Sequence, residues 1–260
     1  MATFRVLVIG GGGGSGGSSS NSNVMAGGGG AGRYYHNTNA TISAGSYTIT
    51  VGAGGAASTD RSIRGFNGGD SSIGSLYKAI GGGGGGPGWV NSQSLTSGAN
   101  GGSGGGTGGS NPATLGGTGS DGSGTPGGLG NNGGGGVINA AGGGGGAGSA
   151  GGNTGAAGSG VSNDITGSST VYATGGSSTG NTNGASNTGN GGSGPSSFNT
   201  TGKAGGSGVV IIRFKTGSIT VTDKTGATET IVGGDTVLTW NSSGTFAFKE
   251  TVGPFPTFFP

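Results

Sequence analysis

Apolar residues are concentrated in a few short segments, and long polar, glycine-rich stretches separate them. The clearest apolar segments are residues 3–9 (TFRVLVI) and 208–214 (GVVIIRF), both rich in β-branched side chains. Short runs of this kind, bounded by glycine, predict β-strands, and the second is apolar enough for a strand covered on both faces. Residues 39–51 and 71–80 show weaker strand patterns. No stretch has the periodicity of an amphipathic helix, so we expect essentially no α-helix.

The pattern changes after residue 215. Residues 218–249 alternate apolar and polar positions, with turn signals at 224–226, 233–234 and 241–244, which predicts three or four strands. The final residues, 253–260 (GPFPTFFP), are aromatic and interrupted by proline, which favours an extended conformation. We therefore expect three parts: a glycine-rich domain at 1–215, a small β module at 216–252 and an aromatic tail at 253–260.

Glycine accounts for 77 of the 260 residues. Consecutive glycines suit the polyproline-II conformation, which has three residues per turn and leaves every backbone amide free to bond to a neighbouring segment. Collagen is a poor alternative because consecutive glycines break its Gly-X-Y repeat. The predicted fold is mainly β, with a glycine-rich sandwich of polyglycine-II helices inserted in a small β framework. The longest glycine runs are residues 10–14, 27–30, 81–86, 133–136 and 142–146.

The charged residues offer little chemistry. They make up 7% of the chain, the net charge is +2, and no basic stripe indicates a nucleic-acid partner. There is no cysteine, one histidine (His36), and no apolar run of the roughly 20 residues that a membrane-inserted helix requires. The G-x-G-x-x-G match at residues 11–16 lacks the following helix and acidic residue of a dinucleotide site. We expect no enzyme activity, cofactor or metal site.

Aromatic residues within the polar loops are the main candidates for binding. Aromatic anchors with adaptable Ser, Gly and Asn neighbours are typical of binding surfaces, although the same rings could instead fill the edges of the glycine sandwich. Phe198 also lies in such a Gly-, Ser- and Asn-rich stretch. The candidate receptor contacts are Trp89, Phe66 and Tyr172, and the candidate assembly contacts in the tail are Phe255, Phe258 and Phe259.

Several motifs, in this order, resemble a glycine-rich domain that is common in bacteriophage tail-fibre and other virion proteins. They include residues 6–14 (VLVIGGGGG), 42–55 (ISAGSYTITVGAGG) and 205–214 (GGSGVVIIRF), and the resemblance covers about residues 3–215. The organisation is also similar to the glycine-rich region of the anaplastic-lymphoma-kinase receptor family. In the phage domains a segment like residues 233–248 (GGDTVLTWNSSGTFAF) precedes the first strand. Here it follows the last one, so the order is circularly permuted or another chain completes the sheet, and we favour the second.

The resemblance implies a non-catalytic virion protein, a tail-fibre or receptor-binding component that is assembled in the host cytoplasm. The implied partners are a host-cell receptor (a glycan or an outer-membrane protein), other virion proteins and further copies of the chain, with a trimer favoured. The alternatives are a capsid decoration or head-fibre protein, and a non-viral surface-coat, filament or ice-binding protein. Neither a nucleic-acid partner nor membrane insertion is expected.

Overall fold

The computed structural model describes residues 2–18, 25–60, 62–88, 96–109, 116–119, 128–136, 140–197 and 200–251. Within these ranges the regular structure is entirely β, without α-helix, as the sequence predicts. The strands are β1 (Ala2–Ile9), β2 (Tyr34–Ile42), β3 (Gly45–Thr50), β4 (Ser71–Ile73), β5 (Tyr77–Ala79), β6 (Gly128–Leu129), β7 (Val161–Asn163), β8 (Thr170–Tyr172), β9 (Val209–Lys215), β10 (Ile219–Asp223), β11 (Ala227–Val232), β12 (Asp235–Trp240) and β13 (Gly244–Glu250).

The strands form two main sheets and one separate hairpin. The first sheet has six strands in the order β11-β12-β9-β1-β2-β6, and the second has five in the order β10-β13-β3-β4-β5. Strands β7 and β8 pair only with each other. Neighbouring strands in all three sheets run antiparallel. We call the two main sheets the β framework.

The central strands β1 and β9 are apolar over residues 6–9 and 209–212 because both of their faces are covered there. In β9, Val210, Ile212 and Phe214 enter the main core, while Val209 and Ile211 enter a second cluster beneath the β7–β8 hairpin. Strand β1 divides its side chains in the same way. Alternation of this kind follows from the two-residue period of a strand and explains the continuous apolar run at 209–212.

Aromatic rings from distant parts of the chain fill the main core. Phe4 of β1 contacts Phe214, Phe246 and Phe248 edge to face, with ring centroids 5.3–6.1 Å apart. Trp240 packs on Phe246 at 5.9 Å, and its indole N–H donates to the carbonyl oxygen of Thr225 at 2.9 Å. The indole donor therefore remains satisfied although the ring is buried.

The C-terminal segment completes both sheets within the same chain. Strand β12 extends the first sheet by pairing with β9, and β13 extends the second by pairing with β3. Residues 218–249 form four strands, the upper end of the sequence expectation. The expected completion of the β framework is confirmed, but the preference for strands supplied by another chain is wrong for this structure. Strands β12 and β13 can reach the sheets of their own chain because tight turns connect the successive strands from β9 to β13.

Glycine segments leave the β framework at one side and form a hydrogen-bonded lattice. The central glycine segment, residues 10–18, continues directly from β1 and is buried along its length. Its amides bond to the same neighbour at every third residue. Residues 27–33 accept three of these bonds: Gly10 N–H to Arg33, Gly13 N–H to Gly30 and Gly16 N–H to Gly27, at 2.8–3.3 Å.

Five further amides of the central segment follow the same rule. Gly11 and Gly14 donate to residues 66–69, while Gly12, Ser15 and Ser18 donate to residues 200–206. Its carbonyl oxygens accept from three further segments, residues 55–58, 82–88 and 192. Three acceptor neighbours and three donor neighbours surround it, which gives a hexagonal arrangement. A three-residue repeat matches the turn of a polyproline-II helix and supports the polyglycine-II conformation. The backbone dihedral angles of these segments remain a prediction.

The lattice has two distinct ends. Strands β1, β3 and β5 run into glycine segments at one side of the β framework, so the framework caps one end of the lattice. We call this the framework end. The opposite end is marked by bonds between Ser18 and Thr200 and between Gly88 and Gly17, at 3.0 and 2.9 Å. We call that the distal end.

Candidate functional site

The distal end gathers the connections between glycine segments. Gly108 N–H donates to Thr96 and Gly109 N–H to Met25, at 2.9 and 3.0 Å, beside the Ser18 and Gly88 contacts. An exposed turn at residues 59–60 connects two glycine segments at the same end, where Ser58 N–H donates to Ser15 at 3.2 Å. Loops supported by a fixed scaffold are where binding residues concentrate. The distal end is therefore the candidate functional site.

One distal loop is described at residues 59–60 and 62–64. It begins with an Asx-type turn in which Asp60 Oδ1 accepts from Ser62 N–H at 2.8 Å and from Ser62 Oγ–H at 2.6 Å. Ile63 follows with 49% of its surface exposed. Ile63 is therefore one of the exposed large apolar side chains of the described residues.

Phe66 lies just after this loop and is the most exposed described phenylalanine, at 57%. Its backbone is fixed because its N–H donates to Ala56 at 3.1 Å and its carbonyl accepts from Gly14 at 2.9 Å. An exposed ring on a hydrogen-bonded backbone loses little freedom when it binds a partner. We call Ile63, Arg64 and Phe66 the distal patch.

The sequence candidates for receptor contact have different outcomes. Phe66 is exposed as expected, and its role as a contact remains a prediction. Tyr172 is 4% exposed in β8, so its expected exposure is wrong. Its ring joins the apolar cluster between the hairpin and the first sheet because alternate residues of β8 face that sheet. Trp89, Phe198 and the tail residues Phe255, Phe258 and Phe259 lie outside the described residues.

A groove of about 330 Å³ forms where the β7–β8 hairpin meets the first sheet. Asn163 Nδ2–H donates to the Tyr34 hydroxyl at 2.7 Å, and Asp164 pairs with Arg5 at 2.8 Å. Behind it, Arg213 bonds to the carbonyl oxygen of Ile165 at 3.2 Å. These polar groups bond chiefly to one another across the contact, so the groove serves mainly to dock the hairpin. Its lining consists of Tyr34, His36, Ser162, Asn163, Asp164 and Ser169.

His36 is the titratable group of this groove that responds near neutral pH. Burial lowers its pKa below the ordinary 6.5, the neighbouring Arg5 lowers it further, and Asp164 opposes the shift. Its Nε2 is buried and has no hydrogen-bond partner among the described residues. The imidazole is therefore neutral at pH 7 and acts as a packed ring beside Tyr34, with centroids 6.3 Å apart.

Acidification should destabilise the protein through His36. Because its pKa is lower when folded than when unfolded, the unfolded chain binds the proton more readily. The contribution of neutral His36 to stability is fully present above pH 6.5. It is lost as the pH falls from the pKa of the unfolded chain to the lower pKa of the folded protein. Denaturant titrations of the wild type and of His36→Gln between pH 7 and pH 5 test this. The variant should lose the decline, and an unchanged decline would contradict the assignment.

The described residues contain no group of three or more His, Cys, Asp or Glu side chains placed to hold a metal ion. Over the same ranges, no helix long and apolar enough to cross a membrane is found.

Comparison with known proteins identifies the family of the chain. A family model described as a glycine-rich domain matches residues 1–215. The chain belongs to this glycine-rich domain family. No curated protein and no solved structure matches the chain. The glycine-rich domain match ends at the last residue of β9, so strands β10 to β13, which complete both sheets here, lie beyond it.

Two features of the site were missed from the sequence. Ile63 could have been found as an isolated apolar residue in a polar loop between two glycine segments. The hairpin residues 161–172 gave no clear strand pattern because β7 and β8 have three residues each. Arg5 and Asp164 are 159 positions apart, so their pairing left no local signal.

Proposed function

We propose that this protein is a non-catalytic structural component of a virus particle, a tail-fibre or receptor-binding subunit whose distal end contacts the host-cell surface. The observation that carries the proposal is the polarity of the molecule: the exposed Ile63 and Phe66 lie at the distal end, whereas strands β1 and β13 lie in the β framework at the other. A fibre subunit needs this arrangement because one end must join the particle while the opposite end remains free.

The positions of strands β1 and β13 support the attachment half of the proposal. Ala2 pairs with Ile42 at the turn between β2 and β3, and Glu250 pairs with Ile219 at the start of β10. The ring centroids of Phe4 and Phe248 are 5.3 Å apart, which places both terminal strands at the framework end. Other virion proteins, and further copies of the chain in a trimer, would attach there.

The lattice supports the receptor-binding half. Its buried segments bond through the backbone, so loop residues can change at the distal end without altering the packing beneath them. The distal patch offers an aromatic ring and the partly exposed Arg64, residue types that are enriched at protein interfaces, beside the exposed Ile63. The partner would be a glycan or an outer-membrane protein of the host cell.

The distal patch can be tested by competition for adsorption. Purified protein should block adsorption of the particle to its host cells, and the double variant Ile63→Ala/Phe66→Ala should block at least about tenfold less well, because hot-spot residues contribute about 2 kcal/mol or more. Ile231→Ala is the matched control, since Ile231 is 60% exposed but lies on β11 of the β framework.

The outcomes separate the candidate roles. Blocking by the wild type and by Ile231→Ala, but not by the double variant, supports the proposal. No blocking by correctly folded wild-type protein, together with its detection on the capsid by immunogold electron microscopy, would replace it with the capsid decoration role. Equal blocking by all three proteins would refute the distal patch.

A further inference from the structure

The five Asn-Gly dipeptides of the chain share one environment at the edges of the lattice. In each, the asparagine Oδ1 accepts a backbone N–H from a neighbouring segment at 2.8–3.1 Å. The side-chain oxygen thus takes the place of a missing lattice neighbour. The pairs are Asn67 with Gly84, Asn100 with Thr118, Asn132 with Gly119, Asn183 with Ala204 and Asn190 with Thr174.

The glycine that follows each asparagine is also held. At three sites a single residue makes both contacts, since its N–H donates to the asparagine and its carbonyl accepts from the glycine; these residues are Thr118, Ala204 and Thr174. At the other two sites, the residue that accepts from the glycine lies two positions before the residue that donates to the asparagine. The five glycine bonds, at 2.9–3.2 Å, are Gly68 to Gly82, Gly101 to Thr118, Gly133 to Gly117, Gly184 to Ala204 and Gly191 to Thr174.

Asn-Gly is also the dipeptide in which deamidation is least hindered, because glycine places no side chain beside the attacking nitrogen. The glycine nitrogen attacks the asparagine Cγ, a new N–Cγ bond forms, and the Cγ–Nδ2 bond breaks. The amide proton leaves with the ammonia. Water then opens the cyclic imide to give either aspartate or isoaspartate.

We propose that the five Asn-Gly dipeptides are deamidation sites that the closed lattice protects and that its opening exposes. The attacking nitrogen is engaged as a hydrogen-bond donor, and the asparagine side chain is anchored on a different segment. Cγ can reach the nitrogen only when both bonds break. This inference concerns the lattice itself and does not depend on the proposed function.

The two products would have opposite consequences. Aspartate preserves the acceptor oxygen, and the chain already uses one in this way, because Asp70 Oδ1 accepts from Gly81 N–H at 2.9 Å. Isoaspartate routes the backbone through the side chain and adds an atom between lattice positions. The three-residue repeat then loses its register, so isoaspartate formation converts a transient opening into a permanent one.

Peptide mass spectrometry of the full chain, incubated at mildly alkaline pH with and without denaturing urea, tests the protection. Each of the five asparagines should deamidate at least about tenfold more slowly in the native protein, because modification through opening follows the open population. Asn241, exposed in an Asn-Ser turn between β12 and β13, is the internal control and should show a smaller difference. Equal native and denatured rates at the five sites would overturn the proposal.

Two variants test the product argument. Asn190→Asp should keep the wild-type melting temperature, whereas Asn190→Ala should lower it because Thr174 N–H loses its acceptor. If both lower it equally, the claim that aspartate is tolerated is wrong. Enzymatic labelling of isoaspartate should then detect it only in protein that fails to recover the native melting temperature after urea is removed. Labelled protein that recovers it fully would refute the locking step.

Discussion

Replacing Gly144 with alanine should destabilise the protein by more than about 3 kcal/mol, above the usual range for overpacking. Gly144 lies in the buried segment 142–147, and its N–H donates to Gly176 at 2.8 Å. A Cβ added there would overlap the backbone carbonyl oxygen of Gly29 in a neighbouring segment. The obstacle is backbone rather than a movable side chain, so relief requires one segment to move away from the next.

Separation of two segments would affect more than one contact. Gly29 is itself bonded to Gly192 and Gly176, so a shift at Gly144 reaches two further segments of the lattice. Interiors packed without voids transmit such strain rather than absorb it. The cost should therefore exceed that of a similar overlap against a flexible side chain.

Gly152→Ala is the matched control for Gly144→Ala. Gly152 also lies in a glycine segment and lacks a positive φ, but its added Cβ would meet nothing closer than Ala156 Cβ at 3.2 Å. Alanine restricts the unfolded chain and this gain offsets the cost of the 3.2 Å contact, so we expect a change within about 1 kcal/mol. Urea titrations followed by tryptophan fluorescence, with hydrogen exchange of residues 140–147, measure both variants. Equal stability of the two variants would contradict the close-packed lattice.

The β framework could be predicted from the sequence because its signals are local. Apolar runs identified β1 and β9, and turn residues divided residues 218–249 into the predicted three or four strands, of which the structure has four. The glycine lattice could be anticipated from the absence of side chains, but its neighbours could not. Each segment bonds to segments far away in the chain, as in the contact of Gly12 with Gly206, and identical glycines carry no information about which pairs form.

Asn-Gly illustrates why local signals fail in the lattice. The dipeptide usually predicts a two-residue hairpin turn because both positions tolerate positive φ. None of the ten residues in the five Asn-Gly pairs has a positive φ here. Long-range bonding of the asparagine oxygen overrides the turn preference. Tyr172 was misplaced for a related reason, since its burial depends on a hairpin whose partner sheet lies elsewhere in the sequence.

Removing residues 216–260 should abolish folding of the remaining chain. The deletion takes away the β12 and β13 pairings, which leaves β9 and β3 as open edges. It also removes five buried side chains from the main core: Ile219, Leu238, Trp240, Phe246 and Phe248. Each large apolar side chain contributes about 1.5–3 kcal/mol on burial, so the loss is comparable with the whole stability of about 5–15 kcal/mol of a typical domain.

Circular dichroism and hydrogen exchange of residues 1–215 would show whether any fold survives. Cooperative melting of the truncated chain at the wild-type temperature would mean that residues 216–260 are only an appended module. Because the glycine-rich domain match covers residues 1–215, the experiment also shows whether the matched region is sufficient to fold.

A circular permutant supplies the complementary test. Moving residues 218–260 ahead of residue 1 recreates the order that the resemblance to phage domains implies. The cut falls after Gly217, in an exposed turn with no atom within 4 Å of an added Cβ. The new junction lies at the framework end, where Phe4 and Phe248 are in contact, and residues 251–260 provide the linker. Because every strand pairing can be retained, we expect the permutant to melt within a few degrees of the wild type while the truncated chain stays unfolded. Failure of the permutant to fold would show that the connection through residues 216–218 is itself required.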